Sequence, residues 1–362
     1  MKEIIRTLKP YIPEEPAEAV KERLGVERLV RLSANENPYG TSPLVREAIL
    51  SYVTHNDANY YPDGNASDLR MKLAGYWQVE PEQLVIGVGL DEVIAMVNKT
   101  LITAGDSIVV SVPAFSEYAL NGLVEGAEIR EVPADFETGQ YDFSALVKAV
   151  DETTRLVWIC NPNNPTGTYE SVEDIRKFVA AIPKETLVIV DEAYIDFTDM
   201  ASAVTLQKTY QNVVVLQTLS KAWGLAGLRV GICVADPELV IYLNKVKPPY
   251  NIGSLTQRRA LDVLRNDADF LEKVETIKRE RKRVTGVLRD LSWLEVVCDS
   301  EANFVLIRCE RFRELYEYLV EGGVIVRVRH IPPRLSCGLR ITVGTREEND
   351  LLIERLKKFG DL

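Results

Sequence analysis

Between about residues 43 and 235 the chain alternates helix-like patterns with short apolar runs. The runs are Ser107-Ile-Val-Val-Ser111, Arg155-Leu-Val-Trp-Ile-Cys160, Leu187-Val-Ile-Val-Asp191, Asn212-Val-Val-Val-Leu216 and Leu228-Arg-Val-Gly-Ile-Cys233. Runs this short, rich in Val and Ile and without a polar alternate position, predict strands buried on both faces. Their alternation with helices predicts an α/β fold, with a large domain built on a mostly parallel sheet flanked by helices. Further on, a heavily charged helical pattern covers 267–290, and then the order changes. Asn303-Phe-Val-Leu-Ile307, a helix, Val324-Ile-Val-Arg327, Gly338-Leu-Arg-Ile-Thr342 and a last helix predict a smaller α+β domain. The expected division is an N-terminal arm over 1–30 packing with the small domain, a large domain over 31–253 and a small one over 254–362.

Charge narrows the partners. The formal net charge is −11 with a pI near 5.0, which argues against a nucleic-acid binder, since that needs a basic face to displace counterions. An anionic ligand must therefore be held by locally placed cations and backbone donors. The five cysteines form no C-x-x-C pair, and the two histidines, His55 and His330, are far apart. A disulfide framework, a His-rich metal site and a Ser-His-Asp hydrolase are all poorly supplied, and no metal is expected. The N-terminal stretch MKEIIRTLKPYIPEEP lacks the apolar core of a secretion signal, and no apolar run approaches the ~18 residues of a membrane span. The expected location is the cytoplasm.

Ligands of open α/β sheets gather at the carboxyl ends of the strands, and polar residues stand at those ends here. The run 187–190 leads into Asp191-Glu-Ala-Tyr194, the run ending at Cys160 into Asn161-Pro-Asn-Asn-Pro-Thr-Gly167, and the run 212–216 into Thr218-Leu-Ser220-Lys221. Lys221 sits among small and apolar residues, poor company for an ammonium. Each piece alone has a plain structural reading, as a turn, a cap or a core ring; their order, each following its own strand, outweighs it. A lysine amine takes an aldehyde as a Schiff base, and a buried carboxylate suits a pyridinium nitrogen. A phenol and an amide suit a ring oxygen, and hydroxyls with Arg229 suit a phosphate. Pyridoxal phosphate carries all four groups. Gly87-Val-Gly-Leu-Asp-Glu92, between the run Leu84-Val-Ile86 and a helix from Glu92 to Leu101, adds backbone donors for the phosphate.

With these residues in view, the chain resembles the fold-type I pyridoxal-phosphate aminotransferases, and among them the histidinol-phosphate aminotransferases. The likeness runs almost the full length, through Leu32-Ser-Ala-Asn-Glu-Asn-Pro-Tyr-Gly40, Tyr61-Pro-Asp-Gly-Asn65, Thr218 to Gly231, Lys245-Val-Lys-Pro-Pro-Tyr-Asn251 and Leu339-Arg-Ile-Thr-Val-Gly-Thr345. The resemblance implies that Lys221 carries the cofactor and shuttles a proton, that Asp191 keeps the pyridine nitrogen protonated, and that Tyr194 and Asn164 bond the ring oxygen. It implies that Phe115 stacks on the ring. Thr218, Ser220, Arg229 and the backbone at Leu90 and Asp91 would hold the phosphate, with Tyr61 reaching across from a second subunit of a homodimer. Tyr11, Asn35, Arg327 and Arg340 would bind substrate. The implied reaction moves an amino group from histidinol phosphate to 2-oxoglutarate, giving glutamate, in histidine biosynthesis. Gln217 departs from the family, which often has arginine there. The same fold also serves threonine-phosphate decarboxylases, aromatic aminotransferases and non-catalytic cofactor-binding regulators, which remain the alternatives.

Overall fold

The computed structural model of the protein describes residues 3–8, 15–40, 43–55, 59–135, 137–332 and 335–362. Twelve strands occur among them: β1 (Val30–Leu32), β2 (Leu84–Val88), β3 (Ser107–Val112), β4 (Glu128–Pro133), β5 (Thr154–Cys160), β6 (Leu187–Asp191), β7 (Val213–Thr218), β8 (Val230–Val234), β9 (Glu295–Val296), β10 (Phe304–Arg308), β11 (Val324–Ile331) and β12 (Leu335–Thr342). Seven of them form one sheet in the order β2-β8-β7-β6-β5-β3-β4, in which β8 alone runs against its neighbours. The unbroken apolar runs are explained by a core on each face. Val109, Val157, Val188 and Val213 face one cluster, while Ile108, Trp158, Ile189 and Val214 face the other. Burying successive residues on opposite sides removes both faces of a strand from water, so no polar alternate survives.

Differences from the sequence reading are local. Strand β4 was not expected, because Glu-Ile-Arg-Glu-Val-Pro carries the charges and the proline of a sheet edge. Strand β8 starts at Val230 rather than Leu228, since Ala226–Leu228 form a 3-10 turn and Arg229 takes a left-handed φ of 57°. The helix after β2 begins at Gly89, not Glu92, so chain direction reverses with no intervening loop.

The other five strands form the order β1-β11-β12-β10-β9. Its inner face packs Val30, Leu32, Val305, Ile307, Val324, Leu339 and Ile341 against the helices Phe312–Glu321 and Arg346–Gly360. Strand β1 pairs in parallel with β11, Leu32 opposite Val326, so residues placed at the start of the large domain belong to the smaller sheet. Three residues carry too little periodicity to announce this. Within the N-terminal arm, Glu3–Thr7 touches the helix Glu117–Glu125 beside the larger sheet, whereas Val20 and Arg23 line a groove with Tyr316, Val320 and Ile325 of the smaller body and Val30 pairs with β11. The long helix Asp267–Arg289 joins the two bodies: Phe270, Val274 and Ile277 enter the core of the larger, Val284 and Leu288 that of the smaller.

Candidate active site

The carboxyl ends of β5, β6 and β7, the turn after β2 and the outer face of the smaller sheet enclose one cavity of about 630 Å³. Its walls include Leu90, Asp91, Phe115, Asn164, Asp191, Tyr194, Thr218, Ser220, Lys221 and Arg229 from the larger body, and Asn35, Arg327 and Arg340 from the segment around the smaller one. The residues expected at a shared site are thus brought together, with two exceptions. Tyr61 lies outside the cavity, 82% exposed and stacked on Tyr250 at 4.7 Å. Tyr11 falls outside the described residues.

Lys221 follows β7 through a tight turn. Its Nζ donates to the Ala34 carbonyl at 3.0 Å and stands 5.9 Å from the centre of the Tyr194 ring. Burial lowers its pKa to about 8, helped by Arg340 and Arg229 and opposed by Glu36 and Asp91. Asp191, at the end of β6, is 3% exposed. Its Oδ1 accepts from the Ala193 N–H at 3.0 Å and its Oδ2 from the Tyr118 hydroxyl at 2.5 Å. Burial lifts its pKa to about 6, against the pull of those two donors. A buried acid raised in this way is destabilised until a cation or proton donor meets it.

Tyr194 Oη accepts from Asn35 Nδ2 at 3.0 Å and from Asn164 Nδ2 at 3.5 Å, and burial pushes its pKa up to about 12. Arg340 Nη1 donates to Asn164 Oδ1 and Nη2 to the Ser33 carbonyl, both at 2.6 Å. Asn35, itself at a left-handed φ of 56°, exchanges bonds with Thr342 on β12 and so ties the first segment to the smaller sheet.

The corner of the cavity beside Arg229 depends on two glycines. Gly89, at φ +73°, lies so close to Arg229 that an added Cβ would sit 2.1 Å from Nη2. At Gly231 a Cβ would meet the Gly89 carbonyl carbon at 2.3 Å. Their missing side chains let β8 lie against the N-terminus of the helix Gly89–Leu101, so Arg229 and the N–H groups of Leu90 and Asp91 share a corner with Thr218 and Ser220. Arg229 Nη2 also donates to Asp91 Oδ2 at 2.9 Å.

An amine, a buried acid, a phenol with an amide, and a cationic corner fed by a helix N-terminus match the aldehyde, ring nitrogen, ring oxygen and phosphate of pyridoxal phosphate one for one. The aminotransferase class I and II family matches residues 27–356. The chain is 45% identical to histidinol-phosphate aminotransferase from Limosilactobacillus fermentum, over 97% of each chain, and 40% identical to that from Lactiplantibacillus plantarum, over 99% of each. The chain belongs to the histidinol-phosphate aminotransferase family. A crystal structure of the Sinorhizobium meliloti histidinol-phosphate aminotransferase with pyridoxal 5'-phosphate superposes with a TM-score of 0.90 at 26% identity, covering 100% of this chain and 97% of that one. As a class I and II aminotransferase this chain is a pyridoxal-phosphate enzyme.

Sequence reasoning missed several wall residues of this aminotransferase: Tyr118, Glu117, Arg31, Glu36 and Arg329. Arg329 was within reach, because it follows Arg327 by two positions and shares its face of the strand. The strand was expected to stop at Arg327, whereas β11 continues to Ile331. Arg31 and Tyr118 gave no such signal, being placed by β1 pairing and by helix packing. Gln217 does not reach the cavity; its Nε2 donates at 2.7 Å to the buried Glu192.

Proposed function

We propose that this chain moves the amino group of histidinol phosphate to 2-oxoglutarate in histidine biosynthesis, forming imidazole-acetol phosphate and glutamate in two half-reactions at one site. The observation that carries the proposal is a single cavity with Lys221 and Asp191 on one wall and Arg327 and Arg340 on another. Pyridoxal phosphate, when bound, supplies an aldehyde for the Lys221 amine and a ring that accepts the electron pair left when a substrate carbon loses its proton.

The protein's own groups do the rest. With a pKa near 8, Lys221 reaches its free-base form close to neutral pH and can take and return a proton at the substrate carbon. Asp191 holds a proton on the ring nitrogen, and Tyr194 with Asn164 holds the ring oxygen. Phe115 covers the ring; Thr218, Ser220, Arg229 and the backbone of Leu90 and Asp91 hold the phosphate. Arg340 and Arg327, with Asn35 and Tyr11, receive the substrate. A guanidinium fork suits phosphate and carboxylate oxygens equally, so the same pair serves an amino phosphate first and a dicarboxylate second.

The assembly belongs to the same reading: a homodimer in which Tyr61 leaves its own subunit's surface to reach the cofactor phosphate of the other. We take 31–253 and 254–362 as the two functional domains, with β1 lent to the smaller and the stretch from Ala260 to Ile277 lent to the core of the larger. Five free thiols, four of them buried, suit a reducing cytoplasm.

The test is borohydride reduction followed by peptide mapping, with turnover of histidinol phosphate, phenylalanine and threonine phosphate measured side by side. A pyridoxyl group fixed on Lys221 and fastest transfer from histidinol phosphate are expected. A label elsewhere, or decarboxylation of threonine phosphate as the faster reaction, refutes the assignment.

A further inference from the structure

Asp191 is held from two directions, by a backbone N–H and by the side chain of Tyr118. Tyr118 lies on the helix Glu117–Glu125, is 1% exposed, and donates its hydroxyl to Asp191 Oδ2 at 2.5 Å. Its ring is pinned: it stacks on Trp158 of β5 with centroids 4.5 Å apart and planes 9° from parallel, and meets the edge of Phe115 at 5.7 Å. The phenol is a fixed donor, since burial, then the neighbouring Asp191 and Cys160, hold its pKa well above 10.

A carboxylate oxygen has room for more than one hydrogen bond. The Ala193 N–H occupies Oδ1 from the backbone and the phenol occupies Oδ2 from the neighbouring helix, which fixes the carboxylate plane and leaves the remaining lone pairs for the cavity. Removing the phenol would free the plane and weaken the anion together. The same side chain touches Phe115, so ring cover and acid are referenced to one buried aromatic stack.

We infer that Tyr118 is a positioning residue that orients Asp191 toward the cofactor's ring nitrogen and keeps it anionic. This rests on the assignment of Asp191 in the proposed function.

The test compares two ligands on the full-length, cofactor-depleted chain: pyridoxal phosphate and its 1-deaza analogue, which has carbon in place of the ring nitrogen. Wild type must prefer pyridoxal phosphate. Tyr118→Phe, which keeps the stacked ring, is expected to weaken pyridoxal phosphate about 10-fold or more, the loss of a hydrogen bond to a charged group. The same variant should shift the deaza analogue by less than about 2-fold, and in the holoenzyme should lower kcat with little change in KM for histidinol phosphate. Tyr118→His, whose ring N–H can still donate, should recover part of the preference. Equal weakening of both ligands by Tyr118→Phe makes Tyr118 a structural residue and overturns the inference, as does no weakening of either. A wild type that binds both ligands alike removes the role of Asp191 itself, a different failure.

Discussion

Arg327 and Arg340 stand directly opposite each other across β11 and β12. Like charges in facing positions destabilise a sheet, and Arg340 is moreover 4% exposed. Both side chains line the cavity, and Arg340 is held there by Asn164 and the Ser33 carbonyl, so the two strands present two cations to one site. Arg340→Ala should raise KM for histidinol phosphate and for 2-oxoglutarate, each by roughly 10- to 100-fold, as expected for a charge-assisted bond of ~1.5–3 kcal/mol. Steady-state kinetics of the two half-reactions check this; an effect on one alone would break the shared-pocket reading.

Asp191 gives a pH-dependent prediction. Its pKa is raised from 3.8 to about 6 in the folded chain. The burden on folding is fully present above pH 6 and is relieved as pH falls from about 6 toward 3.8. Cofactor-free Asp191→Asn should therefore be more stable than wild type at neutral pH, by at most about 3 kcal/mol. The difference should shrink near pH 4.5, within that same window. The same variant should lose cofactor affinity. Urea midpoints at the two pH values and a cofactor titration measure both arms.

The two glycines of the phosphate corner separate a yielding neighbour from an unyielding one. In Gly89→Ala the new methyl meets the far end of Arg229, which can swing away at the loss of its corner. A moderate destabilisation of about 1–3 kcal/mol is expected, with clearly weaker cofactor binding. In Gly231→Ala the methyl meets the backbone of Gly89, which cannot move without the sheet, so about 3 kcal/mol or more should be lost. Thermal melts with and without cofactor distinguish the two.

Tyr61 tests the dimer. Tyr61 is 82% exposed beside Tyr250 and lies outside its own subunit's cavity, so the proposed contact with the cofactor phosphate requires a second subunit. Mixing Lys221→Ala with Tyr61→Ala chains and letting subunits exchange should restore wild-type cofactor affinity and activity at about one quarter of the sites, as two-fold symmetry with a shared site requires. No restoration would place Tyr61 outside the active site.

Much of the larger body was legible in the sequence because its physics is local. Val-rich runs such as 213–216 have no polar alternate position and can only be strands covered on both faces. The polar residues that follow them, Asn164, Asp191 and Lys221, then fall at one sheet edge because parallel strands put their carboxyl ends together. Lys221 in an apolar segment already implied an amine with a depressed pKa.

What tertiary structure alone decided concerns pairs distant in the chain. That Arg340 faces Arg327, that Arg31 joins the cavity wall through β1, and that the Tyr118 hydroxyl closes on Asp191 across 73 positions are matters of strand register and helix placement. Periodicity assigns a residue to a face. It does not say which residue of another element stands opposite, since that is fixed by packing of whole cores and by close approaches such as Gly231 against Gly89.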